Sequence, residues 1–230
     1  MRVVILAGGI GSRLRPYTLS LPKPLLPIGD KPILEIIVRQ LASHGFRHIT
    51  MAVNHQADLF GAFFGDGSKW GVKITYSLER EALGTMGPLR LIEDLPEHFM
   101  VMNGDVLTDL DYGAAFRGHV EANRRFTIFA AARKQKIDFG VLHLDDTHRL
   151  TGFEEKPELG YTVSMGIYAA HRSILDRIPA GRPFGFDHLM HDFLRTQDRV
   201  DVHEHHGYWL DIGRPDDYER ASEEWARHGG

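Results

Sequence analysis

The sequence predicts an α/β fold built on a mostly parallel, mixed central sheet, and three observations carry that prediction. Val3-Val4-Ile5-Leu6-Ala7 is apolar on both parities and ends at Gly8-Gly9, the mark of a strand buried on both faces. Apolar residues then recur at helical spacing over Ile33, Leu34, Ile36, Ile37, Val38, Leu41 and Ala42. Strand-like and helical stretches go on alternating beyond that point, as parallel strands joined by helical crossovers require.

Taken in order, the first helix has Pro32 suited to its first turn and Gly45 to its C-terminal cap. A strand at "HITMAVN" (48–54), a helix from Gln56 to Phe64 and a strand at "GVKITYS" (71–77) follow. Phe99-Met100-Val101-Met102 reads as a central strand that ends in the polar triplet Asn103-Gly104-Asp105, on the edge of the sheet where α/β folds bind ligands. From "RRFTIFAAAR" (124–133) the pattern becomes strand-like, through "FGVLHLDD" (139–146), "RLTGFEEKP" (149–157) and "YTVSMGIYAA" (161–170). These pieces are expected to lay mixed or antiparallel strands against the first half and to wall its ligand-binding end. A last helix, "PDDYERASEEWARH" (215–228), opens on Pro215 and two acids at its positive end. No linker, repeat or low-complexity tract interrupts the chain, so residues 1–230 are expected to form one domain.

At 230 residues and 43% hydrophobic composition the chain can bury a core unaided. Lys+Arg 27 against Asp+Glu 31 leaves a net charge of −4, which offers no general attraction to nucleic acid or to an anionic membrane. Small phosphorylated ligands fit better than polynucleotides. The absence of cysteine excludes disulfides and thiolate metal ligands and, with no run long enough to span a bilayer, leads to an expectation of a cytoplasmic protein.

The chemistry is concentrated in "LAGGIGSRLRPYTLSLPKPLLPIG" (6–29). Gly8, Gly9 and Gly11 allow backbone N–H groups to approach an anion, Ser12 adds a hydroxyl, and Arg13 adds a planar cation. The loop is neither a P-loop, lacking Gly-Lys-Ser/Thr, nor a dinucleotide fingerprint, since Leu14 fills the third glycine position. Glycines alone would also suit a plain tight connection. Pro22-Lys23-Pro24 tips the balance: the prolines are expected to hold Leu21 and Lys23 extended and to aim a rigid lysine at a phosphate.

Two carboxylates, Asp105 and Asp211, each end an apolar strand-like run, and such a pair suits Mg²⁺ completed by phosphate oxygens and water. Either one alone reads equally well as a turn residue. Glu154-Glu155-Lys156-Pro157 offers acceptors for sugar hydroxyls and a cation for a phosphate monoester, although taken singly it is a surface charge cluster. His188 and His191 at i, i+3, and "HEHH" (203–206), lack the ligand set of a zinc enzyme and read as solvated side chains. No Gly-x-Ser-x-Gly elbow is present.

Taken together, "LAGGIGSRLRPYT…PKPLLPIGDKP", "LGTMGPL", "NGDV", "FEEKP", "MGIY" and "GYWLDIGRPDDY" resemble, in order and over essentially the whole chain, the sugar-1-phosphate nucleotidyltransferases. The resemblance implies a Rossmann-like three-layer sandwich of the nucleotide-diphospho-sugar transferase type, with no C-terminal β-helix domain. It also implies an Mg²⁺-assisted reaction of a nucleoside triphosphate with a sugar 1-phosphate, giving an NDP-sugar and pyrophosphate. By similarity Arg13 would bind the β and γ phosphates, Lys23 would steady the α-phosphate or the incoming phosphate, and Asp105 and Asp211 would hold the metal. Leu6, Ala7 and Gly8 with Gly84 and Thr85 would read the base; Gly9, Gly11, Ser12, Asn103 and Gly104 would complete the nucleotide site. Gly140, Glu155 and Lys156 would hold the sugar phosphate. Ser164 stands where many relatives carry asparagine, which points to a different or larger sugar.

The segment "EREALGTMGPL" (79–89) is similar to guanylyltransferases acting on mannose or heptose 1-phosphates, so GTP is the expected nucleotide. A thymidylyl-, uridylyl- or cytidylyltransferase using glucose or amino-sugar 1-phosphates is the alternative. A silent homologue that only binds nucleotide sugars is disfavoured because Arg13, Lys23, Asp105 and Asp211 are all present, and a nicotinamide oxidoreductase because the glycine pattern is wrong. Neither a nucleic acid nor a membrane is expected as partner, and the sequence leaves a homo-oligomer open.

Overall fold

Val3, Val4 and Ile5 are fully buried, and their side chains alternate between two separate apolar cores. That is the condition of a central strand covered on both faces. The computed structural model describes all residues except Ile10, His55, Gly229 and Gly230, and gives only the backbone of Trp225–His228.

The strand is β1 (Arg2–Leu6). A loop with three short 3₁₀ turns leads to the hairpin β2 (Pro27–Ile28) and β3 (Lys31–Pro32), then to α1 (Ile33–Ser43). The first half continues as β4 (His48–Val53), α2 (Ala57–Phe64), β5 (Lys73–Leu78) and β6 (His98–Asn103). After β7 (Val106–Thr108) and α3 (Tyr112–Glu121) come β8 (Phe126–Lys136), β9 (Gly140–Leu144), β10 (Leu150–Glu155) and β11 (Glu158–His171). The chain finishes with α4 (Phe186–Thr196), β12 (Asp201–His205), β13 (Trp209–Asp211) and α5 (Pro215–His228).

Seven strands form the main sheet in the order β12-β8-β11-β6-β1-β4-β5. Only β11 runs against the others: it pairs antiparallel with β6 and β8, while the remaining neighbours are parallel. The expected mixed, mostly parallel sheet is what forms. One core joins the sheet to α1, α2, α3 and Ala221 of α5, and the other joins it to α4 and to the 3₁₀ turns at Gly87–Leu91 and Arg172–Arg177. These are the three layers.

Pro32 stands at the N-cap of α1, one residue before its first turn, and Gly45 closes the other end at φ +88°. The buried face of α1 consists of the residues its periodicity marks, Ile33, Leu34, Ile36, Ile37, Val38 and Leu41. Burial of each such side chain contributes about 1.5–3 kcal/mol. The second half deviates from a flat wall. β9 and β10 leave the main sheet and pair only with each other as a two-stranded ribbon. Among the described residues no helix is long and apolar enough to cross a membrane.

Candidate active site

A cavity of about 450 Å³ opens at the C-terminal ends of β1, β4 and β6. Its lining includes Leu6, Ala7, Gly8, Gly9, Gly11, Arg13, Lys23, Gly84, Thr85, Asn103 and Asp105. Most of the residues expected to bind the nucleotide therefore meet in one place. Gly104 and Ser12 do not line it. Gly104 is packed behind the wall, donating to the Leu6 carbonyl at 3.0 Å, where an added Cβ would lie 3.3 Å from Ile5 and Pro24. Ser12 is exposed and opens a 3₁₀ turn.

The glycine loop is fixed at both ends. Asn54 Nδ2 donates to the Gly8 carbonyl at 2.8 Å, and the Thr18 hydroxyl donates to the Gly11 carbonyl at 2.8 Å. Gly11 sits at φ +63°, with Lys23 and Thr18 so close that an added Cβ would lie within 3.2 Å of both. The N–H groups of Gly9 and Gly11 have no hydrogen-bond partner among the described residues, which leaves them free to face an anion. Arg13 is exposed at the cavity, and no carboxylate among the described residues pairs with it.

Lys23 departs from its expected conformation. It is not extended but begins a 3₁₀ turn, Lys23–Leu25, in which Leu25 N–H donates to the Pro22 carbonyl at 2.8 Å. The turn buries Pro24, Leu25 and Leu26, and that burial outweighs the extended preference that Pro24 imposes on its predecessor. Lys23 is 9% exposed, and its ammonium is ion-paired with Asp105.

Asp105 and Asp211 are drawn together by the β7–β13 ribbon. Asp211 lies opposite Val106, and Ile212 N–H donates to the Asp105 carbonyl at 3.1 Å. Burial holds the Asp211 carboxyl above its ordinary pKa, the Asp105 charge adds to that rise, and Lys23 and Arg13 oppose it. Two carboxylates and two cations thus converge. Asp105 Oδ1 is buried and has no hydrogen-bond partner among the described residues. A buried carboxylate oxygen without a donor, next to a second carboxylate, is a donor set that fits a hard divalent cation.

Ser164 is outside the cavity lining and lies at an irregularity in β11. Ser164 pairs with Ala130 and Ile167 with Phe129, so Met165 and Gly166 bulge out of register. Gly166 adopts φ +73° and comes so close to Asn103 that an added Cβ would lie 2.5 Å from Nδ2. The Ser164 hydroxyl donates to Tyr168 Oη at 3.2 Å, and Trp209 Nε1 anchors the bulge through the Met165 carbonyl at 3.1 Å. Gly140, Glu155 and Lys156 lie on the ribbon instead. Gly140 is opposite Glu155 and Lys156 follows in a turn at φ +48°, all three exposed and outside the cavity lining.

The sequence reading missed Glu79, which lines the cavity with Ala52, Ala82 and Pro88. Glu79 accepts the Leu83 N–H at 2.5 Å, and its other carboxylate oxygen would lie 3.1 Å from a Cβ at Gly8. Its only signal was its place at the head of "EREALGTMG". The turn it braces is strapped to the start of α4: Gly84 is at φ +77°, Phe184 N–H donates to the Leu83 carbonyl at 2.8 Å, and Phe186 N–H donates to Thr85 Oγ1 at 2.7 Å.

His188 and His191 are exposed on α4, as expected, and His188 Nδ1 accepts the Gly185 N–H at 2.9 Å. His205 departs from the expected solvated state: its side chain is only 14% exposed and pairs with Asp109 at 2.7 Å.

The chain is 35% identical over 226 residues to a mannose-1-phosphate guanyltransferase of Yarrowia lipolytica. It is 33% identical over 246 residues to a UTP–glucose-1-phosphate uridylyltransferase of Synechocystis. The alignments cover 95% and 96% of this chain, which spans 62% of the length of each of those relatives. Among solved structures it is similar to HddC from Yersinia pseudotuberculosis, with a TM-score of 0.75, 27% identity and coverage of 97% of this chain and 99% of that one. The same protein has been solved in complex with GMP-PN and matches with a TM-score of 0.74. The sequence model of the family described as Nucleotidyl transferase matches residues 2–228. A chain that carries this sheet, this loop and this carboxylate pair, and that matches the family over nearly its whole length, belongs to the nucleotidyl transferase family.

Proposed function

We propose that the protein transfers a nucleotidyl group from a nucleoside triphosphate, GTP in preference, to a sugar 1-phosphate of the mannose or heptose type, releasing pyrophosphate. The observation that supports this reading best is the convergence of Arg13, Lys23, Asp105 and Asp211 beside a glycine-lined cavity. In this reaction an oxygen of the sugar 1-phosphate attacks the α-phosphorus in line. One P–O bond forms, the bond to pyrophosphate breaks, and no covalent enzyme intermediate is needed. Such chemistry asks for alignment and charge neutralisation rather than for a protein nucleophile.

The Gly9 and Gly11 N–H groups and the Arg13 guanidinium receive the β and γ phosphates, and Arg13 stabilises the charge that grows on departing pyrophosphate. Lys23 exchanges part of its contact with Asp105 for an α-phosphate oxygen. Asp105 and Asp211 would hold Mg²⁺, which when bound supplies positive charge to the phosphate oxygens. Glu155 and Lys156 meet the sugar phosphate from the ribbon.

Glu79 supports the choice of base. A carboxylate only accepts hydrogen bonds, and guanine offers it two neighbouring donors, N1–H and the N2 amino group, where uracil and thymine offer the single N3–H. The Yarrowia relative is described as a guanyltransferase, and GMP-PN is the ligand named for the Yersinia structure.

The test is a matrix of GTP, dTTP, UTP, CTP and ATP against mannose, heptose, glucose and N-acetylglucosamine 1-phosphates with Mg²⁺, products being identified by mass spectrometry. A GDP-sugar formed only when both substrates are present is the expected result. No nucleotide sugar from any pair refutes the reading, and a product carrying UDP or dTDP alone refutes the choice of base.

A further inference from the structure

β8 and β12 run in the same direction as β1, β4 and β6, so their C-terminal ends lie on the ligand-binding edge of the sheet. A second cavity, of about 170 Å³, opens there, and Arg133, His205, His206 and Trp209 supply its polar and aromatic lining. It is too small for a nucleotide, since whole-ligand sites start at roughly 300 Å³. No carboxylate lines it, and Asp109, packed against Gly207, is already paired with His205 at 2.7 Å.

The Arg133 guanidinium lies over the Trp209 indole, 4.6 Å from the ring centroid. Arg133 is half-buried, yet its side chain makes no hydrogen bond and no ion pair among the described residues. Stacking fixes the plane of the fork while leaving its N–H donors without an acceptor, the state that suits a carboxylate or a phosphate. The stack is also tied to the transfer centre. Trp209 and Asp211 alternate along β13, so their side chains share one face of the strand about 7 Å apart. Trp209 Nε1 donates to the Met165 carbonyl at 3.1 Å, and the next residue, Gly166, packs against Asn103 of the phosphate cavity. A sugar whose anomeric phosphate approaches Asp211 has its far end within reach of Arg133.

We infer that Arg133, held by Trp209, is a specificity-determining residue that receives a second anionic group on the sugar, a carboxylate or a phosphate monoester on the carbon farthest from the anomeric phosphate. The enzyme thereby selects anionic sugar 1-phosphates over neutral ones. This rests on the proposed transfer to a sugar 1-phosphate and leaves its chemistry unchanged, because the second anion forms and breaks no bond. His206, exposed on the same cavity, adds a further donor at its rim.

The experiment measures pyrophosphate release by the full chain with GTP and Mg²⁺ and three acceptors: mannose 1-phosphate, mannuronic acid 1-phosphate and mannose 1,6-bisphosphate. At least one anionic acceptor is expected to show a KM about tenfold or more below that of mannose 1-phosphate, and the better of the two identifies the anion. Arg133→Leu keeps an apolar cover on Trp209, so it should leave the urea midpoint, the KM for GTP and turnover of mannose 1-phosphate unchanged while abolishing the preference. Arg133→Lys should restore part of it. Lys134→Leu removes the same charge from the next residue of β8, on the other face of the strand, and should keep the preference. Turnover of mannose 1-phosphate with no preference for either anionic sugar, a preference that survives Arg133→Leu, or one lost equally in Lys134→Leu overturns the inference and leaves nucleotidyl transfer standing. Absence of turnover with every acceptor refutes the proposed function instead. Calorimetric binding of the three sugars, which needs no turnover, then decides the anion site, and equal affinities in the parent protein and Arg133→Leu overturn it.

Discussion

Lys23 and Asp105, 82 residues apart in the chain, form an ion pair whose two side chains are only 11% and 20% exposed. The pair leaves Asp105 Oδ1 without a partner among the described residues, so the lysine neutralises the carboxylate without satisfying it. Removing the ammonium alone strands a buried charge. Lys23→Ala is therefore expected to lose about 3 kcal/mol of stability in urea unfolding, and Lys23→Ala with Asp105→Asn to recover most of it. Mg²⁺ should stabilise Lys23→Ala more than the parent protein, because the cation takes over the missing charge. Equal stability of the single and double variants would show that the pair does not hold Asp105 in place.

The ionised Asp211 carboxylate is set against stability by its surroundings. Its carboxyl titrates above the ordinary carboxylate range, chiefly through burial and then through the Asp105 charge. A group whose folded pKa is raised binds protons more tightly in the native state, so its contribution to stability is full at low pH and is lost as pH rises through the folded pKa. Asp211→Asn should accordingly raise the melting temperature at pH 7 in metal-free buffer, and that gain should shrink as pH falls towards the ordinary aspartate value. The same variant should lose at least about a hundredfold in pyrophosphate release, the scale of removing one positioned charge contact. A variant that is stabilised yet fully active would remove Asp211 from the metal site.

How far the sequence disclosed this arrangement depended on the range of the forces involved. The β1 strand and α1 were legible because their apolar patterns have the period of the element and each is buried as a unit. Lys23 was misjudged because a local rule about residues before proline competed with the burial of Leu25 and Leu26, which a linear pattern does not weigh. The three-residue strands β7 and β13 are too short to show any period, yet they alone set Asp211 beside Asp105. Helix α3, with glycines at 113 and 118, was unexpected; its one signal is Asp111, whose carboxylate caps it by accepting the Ala114 N–H at 2.9 Å.

Glu79 places the choice of base within reach of a single substitution. Glu79→Gln keeps an oxygen to accept the Leu83 N–H, so the turn at Gly84 should persist, but it replaces one acceptor facing the cavity by a donor. A well-formed bidentate contact to a base is worth about 1–3 kcal/mol of discrimination. The variant is expected to raise KM for GTP about tenfold or more while kcat at saturation changes little, and to narrow the preference over UTP. An unchanged ratio of kcat/KM between GTP and UTP would assign base selection to other residues of the turn.

The ribbon provides a site whose loss should be silent in folding. Glu155 and Lys156 are exposed, and no ion pair holds either of them among the described residues. Exposed charges of this kind contribute within about 0.5 kcal/mol to stability. Glu155→Gln and Lys156→Ala should thus leave the urea midpoint unchanged. If they contact the sugar 1-phosphate, each should raise KM for that substrate about tenfold, with KM for the nucleotide unaffected, since the phosphate cavity is lined by other residues. Measurement of both KM values on each variant separates the roles. A rise in the nucleotide KM instead would move the ribbon to the triphosphate side, and no change in either constant would remove Glu155 and Lys156 from the sugar-phosphate site.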